Sequence, residues 1–309
     1  VPVASPVFSA GSYLAAQGVP TFGYNINPAQ WDTGPAMFGH NGSYLNPAGI
    51  DVAGPFLATN LGVTRVAVLG YSVTQSAQCV RGQAKSFAKF GFQVVLTDAS
   101  LPLGVPSVAP EIAKVQSSGA QLAVLCMDPT GDEKISEGLH QAGLSNVAQF
   151  WINGYDEASL AQYRRQYEGV YLAVAYVPFE EASRSPGLTR FLAEMHRHFP
   201  SEPVGEVALA GWISADMFVT GLRRAGPHLT RRRLVDAVNS LTDFTAGGIE
   251  PPVDWRVDHT SPGPVNCSSF VQVRNGRFTP IFHQPFTCLP QNAATRAELH
   301  NLPNVAGVR

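Results

Sequence analysis

RVAVLG at residues 65–70 is an apolar run opened by one charge, and its reading decides the fold. A strand with one wet face alternates apolar and polar side chains. An unbroken apolar run belongs to a strand covered on both faces. A helical pattern follows at 76–90 and stops at Gly91, a residue suited to closing a helix. The pair then repeats. FQVVLT at 92–97 reads as a strand, and 107–118 as a helix ended by Gly119. QLAVLC at 121–126 pairs with a helix at 132–142, and AQFWI at 148–152 with a helix at 157–167. A last strand covers 170–176. Such alternation implies a parallel sheet with right-handed crossovers and helices on both faces. The fold class is α/β.

Outside this core the pattern thins. Residues 1–4 read as the tail of a strand, 9–17 as a short helix and 19–23 as a strand, followed by a polar loop at 24–28. These pieces need partners, and helices at 186–199, 204–225 and 230–241 supply them, the last with Thr230 as its N-cap. Strand-like runs follow at 252–257 and 269–274. Asn275-Gly276 between two apolar runs marks a hairpin. The chain therefore divides into a first lobe of 1–48 plus 173–248, a second of 49–172 plus 249–290, and a patternless tail at 291–309.

Composition narrows the function. The chain has 309 residues, 45% of them hydrophobic, enough for two cores rather than one. A net charge of -2 argues against a nucleic-acid partner. The densest basic run, Arg231-Arg232-Arg233 with Arg223 and Arg224 upstream, reads as a solvated helix face. No apolar run reaches the roughly 18–20 residues that span a bilayer. The sequence holds no GxSxG, GxGxxG, Walker A or HExxH pattern. His196 and His198 stand two apart on a helix and face different ways. No catalytic residue, metal site or cofactor is expected.

Four cysteines without a CxxC pair fit two disulfides in an oxidising compartment. Cys267 and Cys288 flank the hairpin and can staple it. Cys79 follows one strand and Cys126 ends its expected neighbour, so these two form the other candidate pair.

Four stretches carry a family likeness: SPVFSAGSYLAAQGVPTFGY from Ser5, TRVAVLGYSVTQSAQ from Thr64, AGWISADMFVTGLRRAGPHLTRRRLVDAVNSLTDFTAGGI from Ala210, and FVQVRNGRFTPI from Phe270. Together they resemble the type I periplasmic binding proteins, in particular the branched-chain amino-acid-like receptors of ABC importers. The resemblance implies two Rossmann-like lobes joined by a three-crossover hinge near 46–50, 172–178 and 246–252. It also implies a first lobe that is N-terminally truncated, because members carry further βα units before the Ser-rich turn. An extracytoplasmic protein is implied, with a signal peptide and with or without a lipid anchor. It would bind an amino acid or small carboxylate in the interlobe cleft and deliver it to a membrane permease. A ligand-sensing receptor domain of the same fold is the alternative, and an α/β enzyme a distant third.

Ligands of open α/β sheets sit beyond the carboxyl ends of the strands. The residues there are Ser5, Ser9, Asn25, Asn27 and Trp31 in the first lobe. In the second they are Tyr71, Gln75, Asp128, Asn153, Gly154, Tyr155 and Asp156. By resemblance the Ser-rich turn holds a carboxylate, and Asp128 or Asp156 meets an ammonium group. Gly154 stands where amino-acid-binding members carry an acid. Trp151 and Trp212 read as core.

Overall fold

The computed structural model describes residues 10–24, 31, 34–40, 50–104, 107–256, 259, 266–281, 286–289 and 295–300. The strand read at 1–4 and the site candidates Ser5, Ser9, Asn25 and Asn27 lie outside them. The chain forms two compact units: Val1–Leu45 with Ala175–Pro264 (unit 1), and Asn46–Val174 with Val265–Arg309 (unit 2). Residues 249–264, read from sequence with the second lobe, cluster with unit 1.

Unit 1 holds a parallel pair, β1 (Thr21–Gly23) and β2 (Met37–Gly39), with Phe22 opposite Phe38. Two strands of three residues are not stable alone. Aromatic packing holds them. Phe22 and Phe38 stack at 5.0 Å, Phe218 of helix Glu206–Ala225 meets Phe22 edge-on at 5.6 Å, and Trp255 meets Phe38 at 5.4 Å. His40 lies beside this core, and burial pushes its imidazole pKa down to about 3. Helix Gly11–Ala16 starts from Ala10 with no side-chain cap. Helices Pro186–His198 and Arg231–Asn239 are capped by Ser185 and Thr230, whose hydroxyls accept from Leu188 N and Arg233 N at 3.1 Å each. The strand expected at 252–257 is absent among the described residues. Val253 forms only an isolated bridge with Phe244, since Pro251 and Pro252 offer no N–H to a ladder.

Unit 2 is built on β3 (Arg65–Tyr71), β4 (Gln93–Leu101), β5 (Leu122–Cys126), β6 (Ala148–Trp151), β7 (Tyr171–Val174), β8 (Asn266–Arg274), β9 (Arg277–Pro280) and β10 (Thr287–Leu289). Their order is β10-β8-β7-β6-β5-β3-β4, with β9 on β8. The pairs from β4 to β7 are parallel, and those of β8 with β7, β9 and β10 antiparallel. Val66–Leu69 and Leu122–Leu125 are fully buried, as unbroken apolar runs require. At the hairpin tip Asn275 and Gly276 take φ of 55° and 68°, the left-handed pair of a type I′ turn. The Glu168 carboxylate accepts both of their amides, at 2.8 and 3.0 Å.

Several boundaries differ from the sequence reading. Helix Pro129–Gln141 starts three residues early because Asp128 caps it and Pro129 fits its first turn. The helix read at 157–167 breaks at Tyr163 into Glu157–Gln162 and Arg164–Tyr167. Helix Ala53–Leu61 was not anticipated. In the stretch read as a patternless tail, helix Arg296–His300 packs on Ala53–Leu61, with Leu299 buried and the Arg296 guanidinium 3.8 Å over the Phe92 ring.

Candidate functional site

The carboxyl ends of β3, β5 and β6 open onto one edge of unit 2. Backbone and side chain weld the first two together. Tyr71 N donates to Ser76 Oγ at 2.6 Å, and that hydroxyl donates to the Cys126 carbonyl at 2.6 Å. A disulfide joins Cys79 to Cys126, as expected, with Cα atoms 5.9 Å apart. Cys267 is also disulfide-bonded, and Cys288 is its register partner across β8 and β10.

On this welded edge the Tyr71 hydroxyl donates to Asp128 Oδ1 at 2.7 Å. The same oxygen accepts from Gly131 N at 3.0 Å, so Asp128 is both helix cap and phenol acceptor. Only glycine allows this approach. A Cβ at Gly131 would stand 2.0 Å from Tyr71 Oη. Asn153, after β6, donates from Nδ2 to the Met127 carbonyl at 2.9 Å, which draws a third strand end beside Asp128. Gln75 sits half-buried in the first turn of helix Thr74–Lys89, which no side chain caps. Tyr71, Asp128 and Asn153 are thus brought together.

The other candidates do different work. Asp156 Oδ1 accepts from Ser159 N at 2.7 Å and caps helix Glu157–Gln162. Tyr155 is buried with its ring 4.6 Å from Phe278. Trp31 is buried in unit 1 with Met37, Leu14 and Ala15. Trp151 is fully buried, and its indole donates to Gln149 at 3.1 Å. Trp212 is half-buried between Phe191 and Arg190.

Behind the edge lies a feature not anticipated from sequence. Asp132, one turn beyond Asp128, is fully buried, and neither carboxylate oxygen has a hydrogen-bond partner. Burial first, then the charge on Asp128, pushes its pKa well above the carboxylate range. Burial, the Asp128 hydrogen bond and the two nearby carboxylates likewise raise the Tyr71 phenol. Below them, Gln149 Nε2 donates to Ser136 Oγ at 3.1 Å, and that hydroxyl donates to the Gln166 carbonyl at 2.6 Å. The i,i+4 spacing of Asp128 and Asp132 placed both on one helix face and could have flagged the pair.

The charged side chains of this edge are of one sign. Residues 71–75, 128–130 and 153–156 contain acids but neither Lys nor Arg. An exposed carboxylate held by a phenol and a backbone amide is preorganised for a cation. Among the described residues no group of three His, Cys, Asp or Glu is placed to hold a metal ion. No helix among them is long and apolar enough to cross a membrane.

No curated protein matches the chain. Solved structures share its fold. A leucine-binding protein from Thermotoga maritima superposes with a TM-score of 0.72 at 15% identity, over 91% of this chain and 75% of that one. A substrate-binding periplasmic protein from Ralstonia solanacearum gives 0.71 at 21%, over 86% and 74%. An ABC-transporter solute-binding protein from R. palustris in complex with benzoate gives 0.72 at 15%, over 93% and 76%. The expected type I binding-protein architecture is therefore the one observed. A family model for periplasmic binding proteins matches residues 1–277, and the chain belongs to that family.

Proposed function

We propose that the protein is the extracytoplasmic solute-binding protein of an ABC importer. It captures an amino acid or a related small amphipathic molecule and passes it unchanged to a membrane permease. The observation that carries this reading is Asp128, an exposed carboxylate at the carboxyl edge of the sheet, fixed by the Tyr71 hydroxyl at 2.7 Å. On the same edge, helix Thr74–Lys89 begins without a side-chain cap. A helix N-terminus is a positive pole. The two poles match the two ends of a zwitterion, with Asp128 and Asn153 at the ammonium end and Gln75 near the carboxylate. Ser5, Ser9, Asn25 and Asn27 are proposed as further ligand contacts. Small carboxylates are the second cargo class, as the benzoate-bound relative of the same fold suggests.

Thermal melting against a panel of amino acids and amine-free carboxylates tests this. A ligand at 100 times its Kd should add about 2.7 kcal/mol to the native state. An amino acid is expected to raise the melting temperature and to be recovered unchanged. Asp128→Asn is expected to weaken its binding at least about tenfold without loss of secondary structure. Stabilisation by amine-free carboxylates alone, equal in Asp128→Asn, would overturn the ammonium assignment. Chemical conversion of the ligand would overturn the transport reading.

A further inference from the structure

Basic residues crowd one end of a helical hairpin in unit 1. Helix Glu206–Ala225 finishes with Arg223 and Arg224, and helix Arg231–Asn239 begins with Arg231, Arg232 and Arg233. His228 lies in the short connection, and all six side chains are exposed. The helices touch closely just behind them. A Cβ at Gly221 would stand 2.5 Å from Val238 and 2.9 Å from Leu234. Both sets of arginines therefore share the tip of one hairpin.

Little neutralises this tip. No acid occurs from 217 to 235. Asp236 makes one exposed pair with Arg232 at 3.7 Å, and Arg233 donates to the His228 carbonyl at 3.1 Å. Arg223, Arg224 and Arg231 enter no ion pair among the described residues. Helix stability does not account for the arrangement. Arginines suit the C-terminus of the first helix, but three at the N-terminus of the second oppose its dipole, and its first turn holds no acid. Between the two basic ends Leu229 projects with 52% of its surface exposed.

We infer that this hairpin tip docks on an anionic phospholipid surface. An apolar side chain flanked by arginines suits a headgroup layer. The guanidinium forks pair with phosphates while the leucine reaches the acyl boundary. An acidic protein would meet the same charges, but would not call for a single projecting leucine between them. The inference stands apart from the ligand site, because none of these residues belongs to it.

The test is co-sedimentation of the full chain with phosphatidylcholine vesicles, with and without phosphatidylglycerol, at low and physiological salt. Soluble polyglutamate serves as the acidic-protein probe. Binding is expected only to vesicles containing phosphatidylglycerol, and it should weaken with salt. The Arg231→Gln/Arg232→Gln variant should partition about 25-fold less, a factor of about five per arginine. Leu229→Ser should weaken binding at unchanged salt dependence. Both variants should melt no lower than the parent and keep its ligand-induced shift. Failure to bind anionic vesicles at low salt would overturn the inference, as would parental binding by the double-arginine variant. Binding to polyglutamate but not to vesicles would overturn it in favour of an acidic protein partner.

Discussion

Asp132 is sealed inside unit 2 with neither carboxylate oxygen hydrogen-bonded. Its folded pKa is raised, by burial and then by Asp128. A raised acid contributes its stability fully below the unfolded pKa, near 3.8, and loses it as pH rises through the folded value. Asp132→Asn keeps the shape and removes the ionisation. It is expected to be more stable than the parent by about 1 kcal/mol or more at pH 7.5, with no advantage at pH 4. Thermal melts at the two pH values check this, and an equal gap at both would count against a protonated Asp132. His40 behaves in the opposite sense. Its pKa falls from 6.5 to about 3 through burial, so its contribution is present above pH 6.5 and is lost toward pH 3. His40→Gln should flatten the acid limb of the stability curve over that window. The place of Asp128 at the carboxyl edge was legible in the sequence because it stands two residues beyond an apolar strand. Asp132 was not. A polar residue in a helical pattern reads as solvent-facing, and only the tertiary packing of that helix, against helix Arg164–Tyr167 and with the Tyr71 and Tyr167 phenols near Asp132, turns it inward.

Elements were legible where burial writes a pattern. β3 and β5 announced themselves because strands covered on both faces must be apolar throughout. Helix Ala53–Leu61 escaped for a related reason. Every residue from Ala53 to Thr59 is buried, so no polar face marks a helical period, and Pro55 reads as a breaker. The strand read at 252–257 failed because composition alone says nothing of missing donors. Caps were easier, as Thr230 shows. That cap also yields a prediction. Arg233 stands at the third helical position, where a glutamate would return a bond to the Thr230 amide. Arg233→Glu should therefore stabilise the protein by about 0.5–1 kcal/mol, read as a raised melting temperature. An unchanged or lower value would mean that the Arg233 contact with the His228 carbonyl outweighs the capping box. The welded strand ends predict a larger effect. Cys79 and Cys126 are 47 residues apart, so removing their disulfide by a double alanine substitution should cost about 4 kcal/mol in urea unfolding. An unmoved midpoint would show that Ser76 alone ties β3 to β5.

Taken whole, the chain stabilises its two units by different means. Unit 2 rests on a continuous sheet of eight strands. Unit 1, among its described residues, has a two-stranded sheet and depends on Phe22, Phe38, Phe218 and Trp255 packed around it. Phe38→Ala is thus expected to lower the stability of unit 1 by about 3–5 kcal/mol. The emission of Trp255 should report the loss, while Trp151, buried in unit 2, reports little. Parallel loss at both tryptophans would mean that the units unfold as one. Sequence reading saw the second unit more clearly than the first, because a sheet of alternating βα units has a period and an aromatic cluster assembled from residues 22, 38, 218 and 255 has none.

Gly131 carries a consequence of a genetic kind. The atom that a methyl group there would strike is the far end of the Tyr71 side chain, not backbone. Alanine at 131 should let the chain fold and accumulate at normal abundance while evicting the phenol from Asp128. On the proposed role of Asp128, such a substitution would be a separation-of-function allele, silent to any screen for misfolding and visible only as a loss of ligand-induced stabilisation.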